Sequence, residues 1–216
     1  SEIKYKLADR YREIINGVIP FLETLTAAHL RILDPNRGIR LEPFFKWLLY
    51  KRFESDITSY YLTLSRLLLK NKKILNAVTK RDASLLIESD LDEDLDEYGV
   101  EIKFNEEFRT RLSELIKKIK KSESKDDKDT LEDLKKDTEL IENQVINLKK
   151  LLQSNSKILF LEDGKLLKLM DIFDENSKKQ ILLFTEYTDT QKAIKEFLEN
   201  RYSKEEIEFV NSSTKN

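Results

Sequence analysis

A turn that holds phosphate needs exposed backbone N–H groups, nearby hydroxyls, and a helix that begins where a strand ends. Thr185, Glu186, Tyr187 and Thr188 meet that description. Before them, Ile181-Leu182-Leu183-Phe184 is a continuous apolar run, as expected of a strand buried on both faces. Behind them, Thr188 with Gln191 forms a capping box, and Ile194, Phe197 and Leu198 share one helical face. The amide groups and positive dipole end at such a position favour an anion. The plain alternative is a strand-to-helix turn with a good cap. Lys51, Arg52 and Glu54 form a second charged group. Either an Arg–Glu pair is buried there to fix a helix, or Lys51 and Arg52 reach a phosphate backbone. Trp47, Tyr50 and Phe53 around them point to packing.

Other constellations are weaker. Asp90, Asp92, Asp94 and Glu101 mimic positions one, three, five and twelve of a calcium loop. Leu95 stands where the sharp turn requires Gly, and Glu97 where an apolar residue belongs, so the stretch reads as a solvated acidic loop. His29 is the only histidine and Cys is absent, which excludes disulfides, thiolate metal sites and a His-based metal site. His29 is expected in a helix–helix contact. No G-x-x-x-x-G-K-[ST] phosphate loop occurs, and no acidic box follows a strand. No catalytic residue, metal ligand or cofactor site is assigned in this chain.

The elements that must position these residues are mostly helices. Residues 5–33 read as two helices punctuated by Gly17 and Pro20, and Asp34-Pro35-Asn36-Arg37-Gly38 reads as a turn. From Glu42 to about Val78 the three/four spacing predicts one long helix, broken near Ser55. Residues 106–121 form a helix with Phe108, Leu112, Leu115, Ile116 and Ile119 inward. Residues 121–129 form a polar turn, and another helix opens at Thr130 with Asp133 and runs past Leu148. The fold class is therefore mainly α: a helical bundle with a long antiparallel hairpin, followed by a small partial β-α-β unit whose second strand is Ile207-Glu208-Phe209-Val210. Four regions follow: 1–81 helical, 82–105 an acidic loop, 106–156 the hairpin and 157–216 the α/β portion.

Three stretches resemble superfamily-two helicases of the prokaryotic Swi/Snf-like branch. Leu48-Leu49-Tyr50-Lys51-Arg52-Phe53-Glu54-Ser55, followed by Tyr61-Leu62-Thr63-Leu64, is similar to a signature of the helical region linking the two motor lobes. Asp163-Gly164-Lys165-Leu166-Leu167-Lys168-Leu169 looks like the opening of the second RecA-like lobe. Phe184-Thr185-Glu186-Tyr187-Thr188-Asp189-Thr190 resembles that lobe's first strand-to-helix turn. The resemblance implies a fragment: the helical insertion and truncated start of lobe two, residues 157–216, of an ATP-dependent translocase. It further implies ATP and magnesium for the parent protein, double-stranded DNA as partner, and nucleic-acid contact by Thr185, Glu186, Tyr187, Thr188, Lys51 and Arg52. The first residue, Ser1, and the end at Asn216, short of the lobe's late arginine motif, suit an excised piece.

Composition bounds the rest. The net charge of −2 hides a basic first part: residues 1–87 hold 16 Lys/Arg against 9 Asp/Glu. Such a surface either attracts phosphate or faces an acidic neighbour. No apolar run is long enough to span a bilayer, and the expected location is the cytoplasm. The competing function is a helical protein–protein interaction module without catalytic activity. An open sheet edge at 181–184 predicts a homodimer through that edge.

Overall fold

The computed structural model describes residues 9–55, 57–86, 106–121, 125–153, 164–185, 188–199, 201–203 and 206–210. The chain is mainly α. In order come α1 (Asp9–Thr24), α2 (Ala28–Leu33), α3 (Pro35–Ser55), α4 (Ile57–Lys80), a 3-10 turn (Ala83–Leu85), α5 (Glu106–Lys121), α6 (Lys125–Gln153), α7 (Gly164–Glu175) and α8 (Thr188–Glu199).

Two apolar clusters sit at either end of α4 and α6, which pack along one another. One joins α2, the end of α4, residues 83–86, α5 and the start of α6, with Phe108, Leu112 and Leu134 fully buried. The other joins α1, Leu49, the start of α4 and the end of α6, around Tyr60, Leu64 and Ile141. Each such side chain contributes roughly 1.5–3 kcal/mol on burial. α5 leans mainly on α2 and the 3-10 turn, and α6 mainly on α4, so the two helices of the expected hairpin are shared out between different neighbours.

Three boundaries differ from the sequence reading. The first break falls at residues 25–27, not at Gly17 or Pro20. α1 runs through Pro20, and Ala27 takes a left-handed φ of 49°. The turn is held from a distance. The Asp137 carboxylate on α6 accepts from Thr26 N (2.8 Å), Thr26 Oγ1 (3.1 Å) and Ala28 N (2.9 Å), capping α2 in trans. Residues 34–38 are a helix start rather than a turn. Asp34 Oδ1 accepts from Asn36 N and Arg37 N, both at 3.0 Å, and Pro35 occupies the first helical position. Gly38 lets α3 touch α2, for a Cβ there would lie 2.7 Å from the Arg31 backbone. α6 begins at Lys125 rather than Thr130, with Asp126 and Asp127 in its first turn complementing the helix dipole.

The long helix breaks where expected, between Ser55 and Ile57. Phe53 and Tyr60 meet edge to face across that break at 5.4 Å. Among the described residues no strand forms. Residues 181–185 and 207–210 carry no regular structure, and Leu182 and Phe184 are 79% and 84% exposed. The physical reason is coverage: two short strands with one helix leave both faces of an apolar sheet bare. The acidic residues 87–105, and with them Asp90, Asp92, Asp94 and Glu101, lie outside the described residues.

Candidate nucleic-acid interface at the α3–α4 junction

The break between α3 and α4 gathers residues that are far apart in the chain. The last residue of α3, Ser55, and Ser59 in the first turns of α4 both present hydroxyls toward α8. Thr190 Oγ1 lies 2.8 Å from Ser55 Oγ and 3.0 Å from Ser59 Oγ. Ser59 and Thr190 are buried, so these bonds form away from competing water. From the other side Lys165 Nζ of α7 donates to the Glu54 carbonyl. A cation on the last carbonyls of a helix satisfies an acceptor that the helix leaves open and complements its dipole. The end of α3, the start of α4, the start of α7 and the start of α8 therefore meet at one point.

Of the two cations proposed at this place, one is inside and one is outside. Arg52 is 7% exposed and belongs to the packed face of α3. Lys51 is half-buried, with its Nζ 2.6 Å from Glu54 Oε2 and 6.0 Å from the centre of the Trp47 ring. The Lys51–Glu54 pair sits in solvent and contributes little, so its geometry is easily rearranged. Tyr50 and Phe53 pack on the core as their type suggests. Trp47 does not: it is 48% exposed and stacks on Phe44 at 5.7 Å and 20°. Burial pushes the Tyr60 phenol well above its usual range, which keeps this hydroxyl protonated beneath the junction.

Thr185 is exposed, one residue beyond the apolar run. Thr188 is the first residue of α8, while its side chain and the residues Glu186 and Tyr187 lie outside the described part of the structure. Gln191 Nε2 donates to the Val210 carbonyl at 2.9 Å, tying the start of α8 to residues 207–210. Lys195 lies over the Phe209 ring at 5.4 Å. Arg201 bonds Asp174 at 2.8 Å and Tyr202 packs edge-on against Phe173, so α7 and the stretch after α8 hold each other.

Ser55, Ser59 and Thr190 escaped the reading of residue types, because lone hydroxyls on helices give no spacing signal. The only trace is their polarity at positions whose period points inward. His29 is buried, edge-on to Phe45 at 4.9 Å, in the helix–helix contact its sequence position suggests.

Comparison with protein-family models, with curated proteins and with solved structures finds no match to this chain. Among the described residues no group of three or more His, Asp or Glu side chains is placed to hold a metal ion. No described helix is long and apolar enough to cross a membrane.

Proposed function

We propose that this chain is part of an ATP-dependent nucleic-acid translocase of the Swi/Snf-like type, comprising the inter-lobe helical region and the opening of the second RecA-like lobe. One observation carries the reading. Described residues from each of the three stretches that bear the resemblance meet at the α3–α4 junction, Lys165 on the Glu54 carbonyl and Thr190 on Ser55 and Ser59. A joint of that kind is what a motor needs to pass movement of one lobe to a helical attachment. In this reading α8 and the turn before it, with Thr185 and Thr188, approach a DNA backbone in the intact protein, and Lys51 supports them from α3.

The sequence has no phosphate loop, so in this reading ATP and magnesium are held by other parts of the parent motor, and no chemical step is assigned to residues here. The exposed run 181–184 supports a further part of the proposal: it becomes a strand when a neighbouring strand covers it, supplied by more of the same lobe or by a second copy of the chain.

The test is the parent reading frame and its product. A phosphate loop upstream, a Gln-x-x-Gly-Arg type motif downstream, and ATP hydrolysis stimulated by DNA support the motor. A reading frame with neither motif and a product without ATPase leaves a helical interaction module instead.

A further inference from the structure

The solvent side of α3 carries a regular stripe. Arg37, Arg40, Phe44, Trp47, Lys51 and Glu54 follow one another in steps of three, four, three, four and three, which keeps them on one face of the helix. The opposite face, with Phe45, Leu49 and Arg52, packs inward. Arg37 and Arg40 are exposed, Phe44 is 39% exposed, and Trp47 shows nearly half its surface. The two rings lie nearly parallel, an arrangement that keeps a flat π-face toward solvent. Acids close the stripe only at its ends. Asp34 is committed to the amides of Asn36 and Arg37, and Glu54 to Lys51.

We propose that this stripe binds single-stranded nucleic acid, with bases stacked on Trp47 and Phe44 and phosphates held by Arg37, Arg40 and Lys51. Interleaved cations and stacked aromatics are the two parts of a single-strand platform. From Arg37 to Lys51 the helix rises about 21 Å, the length of roughly six stacked nucleotides. A duplex fits less well, since its bases are already stacked and offer no free face to the rings. A protein partner also fits less well. At 39% and 48% exposure the two rings offer about half or less of the roughly 150–250 Å² that such side chains can bury, against the roughly 800 Å² per side of a stable protein interface. The inference draws on α3 alone. Oligonucleotide binding by this chain and DNA-stimulated ATP hydrolysis by a longer protein can fail separately.

Trp47 is the only tryptophan, so its emission reports on this face and no other. The chain is titrated with an oligothymidylate of about 12 nucleotides and with a duplex of the same length. The expected result is quenching of Trp47 by the single strand, weakening as salt rises, with duplex binding at least about tenfold weaker. By anisotropy of a labelled oligothymidylate, Trp47→Ala weakens binding about tenfold while Trp47→Tyr largely retains it. Arg40→Gln lowers the salt dependence. The proposal is overturned if Trp47→Ala binds as tightly as the parent chain, if the duplex binds as well as the single strand, or if no quenching occurs. It is equally overturned if emission responds only to protein concentration, which would make the stripe a contact between copies.

Discussion

His29 lets a single residue be read out by acid. It is fully buried against Phe45, and burial, with the nearby Lys70 charge adding to it, lowers its pKa from 6.5 to about 3. Its Nδ1 has no hydrogen-bond partner. The folded chain thus keeps a neutral imidazole, while the unfolded chain takes up a proton below pH 6.5. Between pH 6.5 and about 3 the unfolded state binds more protons, so stability is fully present above pH 6.5 and falls as the pH drops. The limiting slope is about 1.4 kcal/mol per pH unit. From pH 7 to pH 5 this amounts to about 2 kcal/mol, or about 4–8 °C in Tm for a chain of this size. His29 is the only histidine, and ordinary carboxylates remain ionised above pH 5. The Asp137 carboxyl, which burial pushes up, takes up its proton more readily in the folded chain and so works against the His29 slope, which is why the His29 variant is the control. Urea unfolding followed by far-UV circular dichroism at pH 7, 6 and 5 measures it. The parent chain should lose about 2 kcal/mol and His29→Leu less than about 0.5 kcal/mol. An equal loss in both would refute the assignment of that slope to His29, as would a parent chain indifferent to pH in this range.

Further perturbations probe the frame. Asp137→Ala removes the trans cap of α2 and leaves the amides of Thr26 and Ala28 without their acceptor. It should destabilise by about 2–4 kcal/mol in the same urea assay, with Asp137→Asn between the two. Gly38→Ala gains about 1 kcal/mol of helix propensity but drives a methyl into the Arg31 backbone, so a net loss of stability is expected and an increase would show that α2 can move aside. Thr190→Val deletes both hydroxyl contacts to the α3–α4 junction. It should cost about 1–2 kcal/mol and hasten proteolysis around α8, while hydrogen exchange in α5 stays unchanged.

The helices were legible where apolar residues kept their period: Glu106–Lys121 matches its predicted bounds residue for residue, and the break after Ser55 lies where one was expected. Starts were misread where the controlling group is remote or ambiguous. Asp34-Pro35 signals a turn and a helix start equally well. The break at residues 25–27 depends on Asp137, more than 100 positions away, which no local window contains. Residues 181–184 have the composition of a buried strand, yet composition cannot supply the neighbour that buries it. In the candidate site, Lys51 and Arg52 were singled out by type, but which of them faces water depends on the register of α3. Trp47 was read as core for the same reason. The hydroxyls of Ser55, Ser59 and Thr190 were invisible until α8 was placed beside α4.

Under the proposed function, the α3–α4 junction couples a helical attachment to a nucleic-acid motor. ATP hydrolysis by the full-length protein is then measured with and without DNA, for the parent and for Thr190→Val. DNA-stimulated turnover is expected in the parent, and in the variant basal turnover is kept while stimulation falls severalfold. ATP turnover that ignores DNA in the full-length protein would overturn the coupling, as would stimulation unchanged by loss of the Thr190 contacts.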